Sequence, residues 1–437
     1  MKKNHPLNHL TNYLEKYLKS YAEKKIDALV ESISASLHSH QFDHCLIIPT
    51  YNEPHDFIES LITKLNNKVW SSVLIILVIN QPDTDDNITP NQGFWLKFKA
   101  FKVKNSHNEG LNLEPSNHHF LCLNHPESCS SIIALDFFTQ ERKLARKKGV
   151  GLARKIGCDL ACHLIQQEIL LTAWLHTSDA DTQLPDDYFH QTTSINSTGV
   201  SAAVYDFIHT GEDNLITYST QLYEKSLHYY VDGLRFANSI YAYHTLGSCI
   251  AINTMSYLVV RGFTKRAGGE DFYCLNKLAK IGKIKQLKGS KLHIASRNSD
   301  RVPFGTGPAV EKILKNSESL ATFMTYNPII FYRLKNLLLS FEDLYNYKEL
   351  PQEWLEQQPQ EIKTTLQSLH ISILFDHVTS QIKDQQSCMR HIHDWFDAFK
   401  TLKFIHMLEQ NHPKVNLEIA KNQLKAGFNK QSKNNCS

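Results

Sequence analysis

Apolar residues follow two different periods along this chain, and the change of period divides it. Leu7, Leu10, Leu14, Leu18 and Tyr21, then Ile26, Leu29, Val30, Ile33 and Leu37, recur at helical spacing, which predicts one or two amphipathic helices over residues 1–40. Uninterrupted apolar runs follow, Cys45–Ile48 and Val73–Ile79, with a helical pattern from Asp56 to Leu65 between them. Strands that are apolar on both faces belong to a parallel sheet covered by helices, so this β-α-β spacing predicts an α/β domain. Residues 80–135, rich in Asn, His and Pro, read as an irregular insertion without identifiable chemistry, holding strand-like pieces at His119–Leu123 and Ile132–Phe138. Further apolar runs stand at Leu170–Leu175 and Cys249–Ile252. From Thr322 onward helical spacing returns over Ile329–Tyr345, Ile362–Ile382 and Cys388–Glu409, with joints at Pro351 and Gln357–Gln360. The tail, Lys421–Ser437, carries four lysines and no acid and is expected to be frayed and solvated.

Composition narrows the class. At 437 residues the chain exceeds what one core usually fills. The expected division is a helical segment over 1–40, an α/β domain over 41–315, a helical region over 316–420 and a basic tail over 421–437. With 47 basic and 44 acidic residues the net charge is +3, which gives no nucleic-acid signature. Nine cysteines without a Cys-X-X-Cys step argue against a disulfide scaffold or a structural zinc site. The opening residues predict no signal peptide, and the apolar runs fall short of the ~20 residues that cross a bilayer, so a cytoplasmic enzyme is expected. The N-terminal stripe is read as facing the core, with a homo-oligomer contact or a peripheral membrane contact as the other uses such a stripe can have.

The chemistry gathers at His176-Thr-Ser-Asp-Ala-Asp-Thr-Gln-Leu-Pro-Asp187, directly after the run Leu170–Leu175. A buried strand that ends in Asp179-X-Asp181 places oxygen ligands at its C-terminal edge, where open α/β sheets bind ligands. Two hard oxygen donors suit Mg²⁺ or Mn²⁺, ions that keep positions open for nucleotide phosphates. A polar turn uses the same residue types. Gly149-Val-Gly151 ahead of a helix suggests close approach of backbone to a phosphate, or merely a helix start. Glu270-Asp271 follows Gly268-Gly269 and precedes a helix with the stripe Phe272, Leu275, Leu278 and Ile281; this pair is the best candidate for a general base, although acids at a helix start also serve as caps.

The order of these segments, Pro49-Thr-Tyr-Asn-Glu53, Gly149-Val-Gly-Leu-Ala-Arg-Lys-Ile-Gly157, Asp179-Ala-Asp181 and Gly268-Gly-Glu-Asp271, resembles a family 2 glycosyltransferase of the nucleotide-diphospho-sugar (GT-A) fold over roughly residues 43–310. Uncharacterised soluble bacterial members are the most similar, through Gly149–Gly157, His244-Thr-Leu-Gly-Ser248 and Ser299–Gly307. The resemblance implies an α/β GT-A fold, a mostly parallel central sheet flanked by helices, with helical additions at both ends. It also implies an inverting, metal-dependent transfer from a nucleotide-diphospho-sugar donor to an acceptor hydroxyl, on a glycan, a lipid-linked sugar or a small molecule.

The family's pattern assigns roles by position. Asp181 would bind the ion, and Asp179 the ribose or the ion. Thr50, Tyr51 and Glu53 would line the base and ribose. Asn80 stands where the family places an acid that holds the base, with Asp83 nearby. Arg154 falls where an Arg faces the donor, and Arg297 and Arg301 would clamp phosphate oxygens. His293 is a candidate third metal ligand and His244 a candidate acceptor contact. Asp271 would deprotonate the acceptor, with Glu270 beside it. Two other classes stay open: a nucleotidyltransferase on the same fold, disfavoured by Pro-Thr-Tyr-Asn-Glu in place of a Gly-rich basic loop, and a catalytically silent sugar-nucleotide-binding module.

Overall fold

The computed structural model describes residues 6–37, 40–104, 119–212, 214–297, 305–315 and 322–434, with side chains left out at 6–9, 101–104 and 428–434. The chain forms two compact units. One comprises Met1–Glu212 with Thr245–Pro308, the other Asp213–His244 with Ala309–Ser437.

The first unit is built on a mixed, mostly parallel sheet of eight strands flanked by helices. Its strands are β1 (His44–Thr50), β2 (Val73–Asn80), β3 (Phe120–His125), β4 (Ser130–Phe137), β5 (Trp174–Thr177), β7 (Val200–Val204), β9 (Ile250–Asn253) and β10 (Lys283–Gln286), in the order β10-β7-β9-β5-β1-β2-β4-β3. A small second sheet, in the order β6-β11-β8, consists of β6 (Thr182–Gln183), β8 (Phe207–Thr210) and β11 (Leu292–Ala295). The central strands β1, β2, β4 and β5 are parallel, as their two-sided burial requires, while β3 and β9 run against their neighbours. The strand before Asp179 starts four residues later than the apolar run suggests, because Leu171 is exposed and Trp174–Thr177 form the buried segment.

The helices of this unit include α1 (Pro6–Ser20), α2 (Asp27–Ser36), α3 (Asp56–Asn66), α4 (Thr89–Lys104), α5 (Gly149–Gln166) and, later in the chain, a helix over Glu270–Ala279. The N-terminal stripe does face the core: Leu14, Leu18, Ile26, Leu29, Ile33 and Leu37 are buried, together with Tyr17. The stretch 80–135 is more regular than expected, with α4 and the paired strands β3 and β4 inside it.

The second unit is helical. A 22-residue helix, Leu215–Phe236, belongs to it, so the linear boundary at 315 does not separate the compact units. That helix shares an apolar core with Pro328–Ser340 and the helices that follow, around Tyr229, Phe236, Phe331, Trp354, Phe375 and Phe404. Where a frayed tail is expected from Lys421, Leu417–Asn434 form one helix with Leu417, Ala420 and Leu424 buried, and residues 435–437 lie outside the described residues. Among the described residues no helix is long and apolar enough to cross a membrane.

Candidate functional site

Because β1, β2 and β5 are parallel, their C-terminal ends open on one edge of the sheet. Thr50 ends β1 fully buried, Asn80 ends β2, and Ser178 leaves β5 with its N–H on the Ile47 carbonyl at 3.0 Å. The chain then turns back, Thr182 N–H donating to Asp179 O at 3.1 Å, with Asp181 inside the turn. The small sheet reaches the same turn, where Ala295 N–H donates to Asp181 O at 2.9 Å. Two residues on, Arg297 places Nη2 2.6 Å from Asp181 Oδ2. The same guanidinium donates to both carboxylate oxygens of Glu53 at 2.8 Å, the fork geometry that arginine offers to two oxygens at once.

A second guanidinium lies deeper. Arg154, on α5 with a side chain only 3% exposed, donates from Nη2 to Asp179 Oδ1 and from Nη1 to Glu270 Oε1. Gly247 lies against its guanidinium so closely that any Cβ would collide with it, and Thr177 Oγ1 holds the Gly247 carbonyl at 2.9 Å. Arg154 Nε has no partner. Glu270 opens its helix after Gly269, whose φ of +69° is left-handed. Asp271 follows, half-buried, and accepts the Phe272 N–H at 2.6 Å, so it does a cap's work locally as well.

Five carboxyl groups, of Glu53, Asp179, Asp181, Glu270 and Asp271, therefore surround two guanidinium groups. Burial opposes the charge on Arg154, yet Asp179, Glu270 and Asp271 outweigh it and hold its proton more firmly. Burial raises the Glu270 carboxyl above the usual range, against the pull of Arg154. Asp271 is pushed up to about 7, by burial and then by the charge of Glu270.

The region beside Thr50 and Asn80 is polar and ordered by residues the sequence did not single out. Tyr51 OH donates to Asp85 Oδ2 at 2.6 Å, which lowers the Asp85 carboxyl. Asn91 receives the Asn52 N–H at 3.1 Å and donates to Asn80 O at 3.2 Å and to Gln81 Oε1 at 3.0 Å. Asn80 itself is 6% exposed and its side-chain oxygen has no partner. Asp85 and Asn91 lie in the stretch read as an irregular insertion, and their hydrogen bonds tie it to residues at the ends of β1 and β2. Their contribution was invisible because it depends on α4 folding back over the ends of β1 and β2. Asp83 is occupied elsewhere, accepting the Arg146 N–H at 2.9 Å.

Other expected residues fall differently. Gly149 and Gly151 do not present backbone to an open space: Gly151 N–H donates to Arg266 O at 3.0 Å, and a Cβ at Gly149 would lie 2.6 Å from Ala267 Cα. Close packing of α5 against residues 264–267 accounts for both glycines. His293 is exposed on β11 opposite Gln183, and it forms no three-ligand group with Asp179 and Asp181. Among the described residues the group whose ligand atoms lie mutually within 4.8 Å is His55, Asp56 and Glu59 at the start of α3, with Lys97 Nζ against the His55 ring. His244 belongs to the helical unit, its ring T-shaped to His228 at 4.6 Å. In the stripe behind Asp271, Leu275 and Leu278 are buried but Ile281 is 46% exposed, beyond the end of the helix. Arg301 lies outside the described residues.

No protein-family model matches this chain, and no curated protein matches it.

Proposed function

We propose that the protein is an inverting, metal-dependent glycosyltransferase that moves a sugar from a nucleotide-diphospho-sugar to an acceptor hydroxyl. The observation that carries this reading is the convergence of Asp179, Asp181, Glu53 and the Glu270-Asp271 pair on Arg154 and Arg297 at the C-terminal edge of the sheet. Asp179 and Asp181 would hold Mg²⁺ or Mn²⁺. An all-carboxylate donor set fits a hard cation, and the carboxyl groups here outnumber the two guanidinium groups. A cation held there would supply positive charge to balance the departing diphosphate.

The chain's own residues do the rest. Thr50, Tyr51 and the Asn80 amide, whose oxygen has no partner, border the place for the base. Its one acceptor and two donors complement a base edge that also offers both kinds of group. Arg297, held by Glu53 and Asp181 at the mouth, is placed to exchange carboxylate oxygens for phosphate oxygens. Asp271 takes the proton of the acceptor hydroxyl as its oxygen bonds to the anomeric carbon. The bond from that carbon to the β-phosphate oxygen breaks, and its electron pair leaves with the nucleoside diphosphate. Arg154, donating to both Glu270 and Asp179, fixes them on either side of this path.

Thermal melting with UDP, GDP and ADP, each with Mn²⁺ or with EDTA, followed by a screen of the matching sugar donors, tests the proposal. Metal-dependent stabilisation and release of the nucleoside diphosphate are expected. Pyrophosphate released from a nucleoside triphosphate would establish a nucleotidyltransferase instead, and donor binding without turnover a silent binding module.

A further inference from the structure

Where the start of α5 packs on residues 264–267, three cations take part in no ion pair among the described residues. Around the N-terminal end of α5, Lys143 pairs with Asp86 at 3.2 Å and Lys265 with Glu23, while Asp83 accepts only the main-chain N–H of Arg146. Lys147, Lys148 and Arg266 take part in no ion pair within 4.0 Å among the described residues. Lys147 and Arg266 are exposed and Lys148 half-buried. Arg266 is held over the Tyr273 ring at 4.0 Å, which orients its guanidinium without neutralising it.

These residues share one edge of the fold. The packing of Gly149 on Ala267 and the bond from Gly151 N–H to Arg266 O bring Lys148 and Arg266 together from distant parts of the sequence. The edge also borders the carboxylates. Arg266 lies in the loop that ends in Glu270 and Asp271, and Arg154, which grips Glu270, stands only ~8 Å along α5 from Gly149.

We propose that Lys147, Lys148 and Arg266 form a subsite for an anionic group on the acceptor, so that the acceptor is a phosphate ester, either a soluble phosphorylated molecule or a phospholipid head group. This rests on Asp271 as the base, which is what makes this the acceptor's side of the site. The donor's diphosphate has a different cation available, Arg297, held by Glu53 and Asp181. A fixed fork and two mobile ammonium groups together match a phosphate that must be held while its neighbouring hydroxyl reacts.

The test uses the full chain, with glycerol 3-phosphate against glycerol in calorimetry, and phosphatidylcholine vesicles with or without phosphatidic acid in flotation. The wild type is expected to prefer the phosphate-bearing probe by about ten-fold or more in one arm, with binding weakened by added salt. Response to glycerol 3-phosphate identifies a soluble ester; response to the vesicles alone identifies a head group. The triple variant Lys147→Glu, Lys148→Glu, Arg266→Gln, all at solvent-accessible positions, is expected to lose that preference while keeping its melting temperature and its UDP–Mn²⁺ shift. Retained phosphate binding in the variant, or no preference in the wild type, overturns the proposal. A parallel loss of the UDP shift would assign the cations to the donor and overturn it as well. Phosphate binding at these residues without any nucleotide effect in the wild type would instead defeat the transferase reading and the acceptor role together, leaving an anion site of another kind.

Discussion

The two compact units treat charge in opposite ways. Among the described residues of the helical unit the buried polar ones are hydroxyls and one imidazole, Thr217, Ser219, Thr220, His244, Thr325, Thr365 and Thr401. The α/β unit buries Asp136, Lys143, Arg154, Lys155, Asp159 and Glu270. Each buried ion costs several kcal/mol in lost hydration, so a fold keeps one only where partners satisfy it or where function requires it. Helix α5 carries one network of each kind, on adjacent residues. Asp159 accepts from Tyr17 OH at 2.7 Å, Tyr257 OH at 2.8 Å and Glu23 N–H at 2.8 Å, with Lys155 Nζ at 3.1 Å. That network is closed, and it ties the N-terminal helices to α5. The network of Arg154 is open, with an unpartnered Nε and more acid than base around it. The contrast separates charge that holds the fold from charge left over for a ligand.

The largest effect should come from breaking the closed network. Asp159→Ala leaves Lys155 buried without its counter-ion and is expected to cost about 3–5 kcal/mol in urea denaturation. Trp354→Ala, in the apolar core of the helical unit, should cost a similar ~3–5 kcal/mol through cavity formation alone, but with no change in its dependence on pH. A loss below ~1 kcal/mol for Asp159→Ala would erase the distinction between the networks.

At the open network the expected effects are catalytic. Asp271→Asn keeps shape and hydrogen-bonding reach but cannot take a proton, so turnover should fall roughly 100-fold or more while UDP affinity stays near wild type. Full turnover with a lower melting temperature would reduce Asp271 to a helix cap. Asp181→Ala should abolish the Mn²⁺-dependent part of the UDP shift, read by calorimetry, with little change in the unliganded melting temperature. Unchanged nucleotide affinity would remove Asp181 from the metal site.

The smallest effect is a slope in pH. Because Asp271 is pushed up to about 7, the folded chain keeps a proton that the unfolded chain has already released, from roughly pH 4 upward. Stability contributed by this group therefore declines as pH rises from about 4 towards about 7, and Asp271→Asn should flatten that decline. Activity should rise over the same approach to neutrality as the base ionises, and an equally sloping stability profile in the Asn variant would place the titration elsewhere.

Much of the first unit was legible in the sequence. Cys45–Ile48 and Val73–Ile79 lie within β1 and β2, the helix from Asp56 ends one residue past its expected limit, and Asp179 and Glu270 both reach Arg154. Less was legible where burial is one-sided or borrowed. Lys421–Asn434 looked like a solvated tail because its helix buries only a narrow stripe, Leu417, Ala420 and Leu424. Asp85 and Asn91 looked inert because their partners Tyr51, Asn52 and Asn80 lie on other elements.

By itself the sequence determined the local periods, and through them the parallel core strands, the amphipathic N-terminal helices and the ends at which acids stand, since these depend on residues a few positions apart. Which acid meets which arginine was decided only by the tertiary structure. Glu53 and Arg297, 244 residues apart, and Arg154 and Glu270, 116 apart, are joined by strand order and helix packing, and no local pattern encodes those. The two glycines in the first turn of α5 make the same point: a motif suited to a phosphate became a close contact with residues 264–267, because the side of a helix start that stays open is set by what packs there.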